Sequence, residues 1–253
     1  MKRAGRFLRN GQVLAGCVIV GFFVVVAILA PQLAPPDDPD NPSTTRVIGK
    51  YYDPMPREPN KEILLGTAPG QLDIYYSLVW GTRSALAFGL TVAVSTALFG
   101  ILLGAFSGYV GGAIHGLIMR VTDAFLAFPV IAGVWLLRQV IMPATPFGEL
   151  NAIQQTFFDL GLDPVLLTLI LFSWMPYARL TSANVVQLKQ TEYVEAARSI
   201  GARKRRIIGR HLLPNALSPV IVLGARDVGA MVILATAFTF IGLGASTEWG
   251  QLL

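Results

Sequence analysis

Cysteine and charge are what this sequence is short of. Among its 253 residues there is one cysteine, Cys17, set inside an apolar run, so an internal disulfide and any multi-cysteine metal site are excluded. The two histidines, His115 and His211, fall at the edges of apolar runs, and neither an HExxH nor a GxSxG pattern occurs, which argues against an intramembrane hydrolase. Charged residues make up only 14%, against 53% hydrophobic residues gathered in long runs, so the chain reads as an integral membrane protein. The net charge of +5 and pI near 9.6 do not point to nucleic acid, because the basic residues are not interleaved with aromatics and sit beside the apolar runs.

A hydrocarbon core of roughly 30 Å needs about 20 mostly apolar helical residues. Five windows meet that length: Val13–Ala30, Ser84–Tyr109, His115–Ile141, Leu162–Tyr177 and Ala216–Ile241. The fold class expected is all-α, a polytopic membrane helix bundle. Lys2, Arg3, Arg6 and Arg9 precede the first window, and Lys189, Arg198, Arg203, Lys204, Arg205, Arg206 and Arg210 lie between the fourth and fifth. That side, with the N-terminus, is cytoplasmic by the positive-inside rule. The loop from Met142 to Gly161 holds Glu149 and Asp159 with no Lys or Arg, as an external loop should.

The first run and its basic flank also resemble a signal peptide, but the run is long for one and no clean small-x-small site follows, so a retained anchor is the better reading. This divides the chain into residues 1–34 (tail and first span), an external Pro/Asp-rich segment 35–81, and a transmembrane domain 82–253. Proline at the density seen after Pro31 disfavours helix and predicts polyproline II, turns or short edge strands. It serves either as a passive linker or as a platform for an external partner.

Gly100, Gly104, Gly108 and Gly112 recur every fourth residue and so share one helix face, a spacing that lets a second helix approach closely in lipid. Arg226 and Asp227 lie near the middle of the fifth window, where each charge costs about 2.5–3.5 kcal/mol to insert. Adjacent residues point about 100° apart, so they need not pair with each other. They read either as part of a translocation pathway or as structural polar contacts.

The densest charge lies in "EYVEAARSIGARKRRIIGRHLLPN", Glu192 to Asn215. A helix is expected from Glu192 to Ile200, with Thr191 as its cap, Glu192 and Glu195 in the first turns and Gly201 just past its end. Tyr193, Ala196, Ala197 and Ile200 then form an apolar stripe. A second basic helix runs from about Arg203 to Leu212, and Pro214 is expected to stop it. Small residues on a projecting helix suit a groove on another protein.

This stretch closely resembles the cytoplasmic loop of permease subunits of binding-protein-dependent ATP-binding-cassette importers, whose pattern is EAA, three residues, G, nine residues, I-x-LP. Glu195-Ala196-Ala197, Gly201 and Leu213-Pro214 match at that spacing, with His211 in place of the Ile. The string before LPN, "FIGLG" after it and "ILLGT" at Ile63 to Thr67 resemble the dipeptide, oligopeptide and nickel branch, although "APGQLDIYY" departs from that branch's usual continuation.

The resemblance implies a permease rather than an enzyme, with a coupling loop at about 183–214 seated in cytoplasmic ATPase subunits. No GxxxxGK[ST] phosphate loop occurs here, so ATP and Mg belong to those subunits. It also implies a second permease subunit and an external solute-binding protein. Such permeases have six spans, so a chain with five is expected to be C-terminally truncated. The rival readings are an ion-coupled secondary transporter or channel component, for which Asp123 and Asp227 are the buried titratable candidates, and a nickel permease of the same family.

Overall fold

The computed structural model describes residues 11–37, 45–50, 55–141, 155–156, 163–243 and 248–252, without the side chains of Lys204 and His211. Lys2, Arg3, Arg6, Arg9, the 142–161 loop with Glu149 and Asp159, and Leu162 lie outside the described residues. The chain divides into two compact units, Met1–Ala87 with Ser246–Leu253, and Phe88–Ala245.

In the first unit the apolar run from Gly11 forms α1 (Gly11–Leu33), in which Ala30 is the buried residue. Its last turn meets the start of α2 (Ile74–Val110) through Ala30, Ala34, Tyr76, Val79 and Trp80. Carbonyls left unpaired at a helix end need donors. Tyr75 Oη donates to Leu33 O at 3.1 Å, and Trp80 Nε1 to Ala34 O at 2.9 Å.

The Pro-rich segment is pinned at several points. Strands β1 (Thr67–Ala68) and β2 (Leu72–Asp73) pair antiparallel across Pro69, Gly70 and Gln71, and Val47 bridges to Leu72. Gln71, fully buried at a positive φ of 60°, donates to Met55 O at 2.6 Å and accepts from Thr67 Oγ1 at 3.2 Å. Arg46 pairs with Asp37 at 2.7 Å and lies over the Tyr76 ring. Further along α2 in the same unit, Ser84 hydrogen-bonds Glu248 of the short α10 (Glu248–Gln251).

The second unit holds the rest of α2 followed by α3 (Gly112–Leu126), α4 (Val130–Ile141), α5 (Pro164–Phe172) and α6 (Met175–Leu188). Then come α7 (Glu192–Ser199), α8 (Lys204–Ile207) and α9 (Leu213–Phe240). Val92, Val134, Val165, Leu169, Ala235 and Phe238 make one core cluster drawn from α2, α4, α5 and α9. Among the described residues, α1, α2, the run Pro164–Leu188 and α9 are long and apolar enough to cross a membrane, and α3 with α4 would make a fifth.

Three helix boundaries differ from expectation, each at a proline. The window His115–Ile141 is not one straight helix: α3 and α4 meet at 82° across Ala127, Phe128 and Pro129. Proline disfavours helical geometry in the residue before it, and Phe128 stacks on Phe172 with ring centroids 5.0 Å apart. The fourth window extends beyond Tyr177 to Leu188, because the chain breaks only at Ser173 and Trp174 and resumes with Pro176 in the first turn of α6. Pro214 starts a helix instead of stopping one. Residues Ile208–Leu212 widen into a π-turn in which Leu213 N–H bonds Ile208 O, and the chain continues helically into α9. A widened turn accommodates a residue that has no N–H to give and whose ring crowds the preceding turn.

Candidate coupling site

The charged stretch folds as a helix, a tight turn and a second helix. Thr191 stands at the N-cap, but its hydroxyl donates back to Leu188 O at 2.6 Å, so the side-chain cap expected there does not form. Its carbonyl oxygen accepts from Val194 and Glu195 N–H. At the other end Gly201 takes φ +77°, Gly201 N–H bonds Arg198 O at 2.9 Å, and Ala202 N–H bonds Ala197 O at 3.0 Å. This pair of bonds is a Schellman closure, which requires a left-handed residue at Gly201.

The helix has two apolar faces where the sequence suggested one stripe. Val194 and Ala197 are buried with Val185, Ile207, Leu212 and Ala216, and Ala105 and Tyr109 pack against them. Tyr193, Ala196 and Ile200 face outward, Ile200 with 85% exposure, as does Glu195. The seat under α7 is thus built from α2, α6, the π-turn and the start of α9. Leu213 is half-buried and Pro214 exposed, while Leu212, not singled out in the sequence, is the fully buried anchor. A hollow of about 600 Å³ beside the turn is lined by Ala197, Ile200, Gly201, Ala202, Arg203 and Arg206.

The glycine face docks α2 on α6. A methyl group at Gly100 would fall 2.5 Å from Trp174 O and Tyr177 Cβ, and one at Gly108 would fall 2.7 Å from Ser182 O. One at Gly104 would overlap Ala178 O. Gly112 does not share this face: α2 ends at Val110, and Gly111 and Gly112 turn the chain with φ +73° and +57°.

Arg226 and Asp227 do pair. Arg226 Nε and Nη2 both donate to Asp227 Oδ1, at 3.1 and 2.9 Å, the arginine stem being long enough to fold across the angle between the two positions. The Asp227 side chain is buried, and that of Arg226 is 72% exposed. The buried Tyr177 hydroxyl is turned toward Asp227 and Thr96 without hydrogen-bonding geometry to either.

Helices of membrane-crossing length, with a closed helix-turn unit between two of them, define a polytopic membrane protein. Residues 100–252 match the family described as binding-protein-dependent transport system inner membrane component, and residues 2–54 match the N-terminal TM domain of oligopeptide transport permease C. The first match covers more than half of the chain, and the chain belongs to that family, the permease subunits of ATP-binding-cassette importers.

It is similar to the dipeptide transport system permease protein of Alkalihalophilus pseudofirmus, 29% identical over 97% of this chain and 73% of the relative. The glutathione transport system permease protein of Pectobacterium atrosepticum is 31% identical over 98% and 75%. The oligopeptide transport system permease protein of Bacillus subtilis is 27% identical over 98% and 73%. The EAA motif of the family is Glu195-Ala196-Ala197 here.

Proposed function

We propose that this chain is one permease subunit of an ATP-driven importer of short peptides, and that α7 is the helix its ATPase partner grips. The observation that carries the coupling assignment is the division of α7. Val194 and Ala197 fasten it to the ends of the membrane helices, while Ala196 and Ile200 lie on the exposed face. A helix held on one face and gripped on the other transmits motion of the partner to the bundle. Glu195, Gly201, Leu213 and Pro214 belong to this unit through the turn that closes it and the π-turn that follows.

The cargo assignment rests on the relatives named for dipeptide, glutathione and oligopeptide transport. The complete importer in this reading has cytoplasmic ATPase subunits carrying ATP and Mg, a second permease subunit and an external solute-binding protein. This chain is a conduit and performs no chemistry itself. It sits in a prokaryotic cell membrane with its N-terminus and α7 in the cytoplasm, as the basic residues near both favour. Residues 35–81 are external, and 82–253 form the transporting domain with its coupling loop at about 183–214. Arg226 lines the pathway with Asp227 paired behind it, a reading supported by a charged side chain left exposed halfway along α9.

The test is uptake of labelled di- and tripeptides by proteoliposomes holding the whole complex. Uptake should require ATP, both permeases and the loaded binding protein. Uptake that continues without the ATPase subunits would identify an ion-coupled carrier instead.

A further inference from the structure

The Arg226–Asp227 pair has one edge in use and one edge free. Thirteen residues of α9 precede Arg226 and fourteen follow it, which places the pair about 20 Å from either end of the helix. Asp227 is 4% exposed and points into the bundle, where the Tyr177 hydroxyl, which has no hydrogen-bond partner, is its polar neighbour.

Arg226 projects the other way. Its Nε and Nη2 converge on the single oxygen Asp227 Oδ1, so the outer edge of the guanidinium, Nη1 with the second Nη2 proton, is not taken up by that bond. Two parallel N–H groups on one edge match the two oxygens of a carboxylate. Ala225 and Gly229 flank Arg226 on the exposed side of α9, and a Cβ at Gly229 would meet nothing within 4 Å, so there is room beside the fork.

We propose that Arg226, steered by Asp227, receives the free carboxylate of a short peptide as it passes the middle of the membrane. The proposal rests on the peptide-importer reading and names the chemical group that the pathway reads. A carboxylate loses its water at this depth and needs replacement donors. A lone arginine would bind it tightly and impose the full insertion cost of a charge on the empty permease. Paired with Asp227, the empty site is neutral, and the bound carboxylate is held by one edge only. A transported solute must be bound well enough to enter and loosely enough to leave. Asp227 acts as a positioning residue: its own surface is buried, and its oxygen fixes the plane of the guanidinium.

The experiment compares a tripeptide with its C-terminal amide in the complete reconstituted importer, using one binding protein throughout. That protein's own preference then cancels in the ratio of ratios between variants. Arg226→Gln should lower uptake of the free acid relative to the amide by about tenfold, the scale of a lost hydrogen bond to a charged group. Arg226→Lys and Asp227→Asn should shift the ratio the same way by less.

Loss of both substrates by the same factor in Arg226→Gln, or no change in either, overturns the carboxylate assignment and leaves the importer reading standing. Uptake of neither peptide by the wild-type complex, with ATP hydrolysis intact, overturns the peptide reading and this proposal with it. If Arg226→Gln does not assemble, Arg226→Lys carries the comparison: a shifted ratio supports the assignment and an unchanged one overturns it.

Discussion

The Lys189 ammonium donates to the carbonyl oxygen of Tyr109 at 2.7 Å and lies 5.7 Å from the centre of the Tyr109 ring. It also reaches Gly108 O at 3.5 Å. These are carbonyls of the last turn of α2, where the helix dipole leaves partial negative charge and a cation is favoured. Lys189 follows α6 directly and is separated from α7 by Gln190 and Thr191, so it ties the root of α7 to a different membrane helix.

Removing that tie should affect transmission more than folding. Lys189→Met keeps the aliphatic stem and deletes the donor, at a cost of about 0.3–1 kcal/mol for a cation at a helix end. The expected outcome is a thermal midpoint shifted by a few degrees with peptide uptake per ATP hydrolysed clearly reduced. Unchanged coupling in an assembled Lys189→Met complex would show that α7 is held firmly enough by its apolar seat alone.

Gly201 offers a cleaner test of the turn, since a Cβ there meets nothing within 4 Å and only the backbone conformation at φ +77° is at stake. An L-residue in the left-handed region costs about 1–2 kcal/mol, more for a β-branched side chain and less for Asn. Gly201→Val should reopen the Schellman closure and abolish stimulation of ATP hydrolysis by loaded binding protein, while Gly201→Asn should retain most of it. The reverse order would remove the turn from the coupling mechanism.

The all-helical membrane class and the closed turn were legible in the sequence because each is set locally. Apolar run length fixes what can cross lipid, and a glycine after two helical turns fixes where a helix ends. The unread features depend on local exceptions to a regular pattern or on neighbours distant in the chain. The bend at Phe128-Pro129 is signalled locally by its proline, but run length alone does not register it, and the stacking partner Phe172 comes from α5. Gly112 continued a period of four by arithmetic alone, although α2 had ended two residues before it. Arg226 and Asp227 diverge by their backbone positions, and only a flexible arginine stem closes the gap. Val194, Leu212 and Lys189 carry no motif; they matter because the ends of separate helices converge on them.

The three glycines that do share a face make a graded prediction. At Gly104 a methyl group would meet the backbone oxygen of Ala178, which has no side-chain freedom with which to yield, whereas at Gly116 it would meet nothing within 4 Å. Gly104→Ala should therefore destabilise the permease in detergent by about 1–3 kcal/mol, the usual cost of overpacking. Gly116→Ala should be neutral or slightly stabilising, since alanine favours a helix interior. Equal midpoints for the two variants would mean that α2 and α6 are not in close contact.

The two faces of α7 separate binding from folding, and this distinguishes a gripped helix from a merely structural one. Ile200 is 85% exposed, so Ile200→Ser removes little from the fold of the isolated permease, where surface changes stay within about 0.5 kcal/mol. If the ATPase subunit buries that side chain, the lost apolar contact is on the scale of 1.5–3 kcal/mol. Affinity of the permease for its ATPase should then fall by about tenfold or more, measured by titrating ATPase subunits onto the purified permease. Val194→Ser should do the opposite. Its side chain is fully buried against Leu212 and Ala216, so it should lower the thermal midpoint of the permease by itself. If Ile200→Ser binds the ATPase like wild type, the exposed stripe is not the surface the partner grips, and the role of α7 must be sought on its charged flank around Glu195 and Arg198.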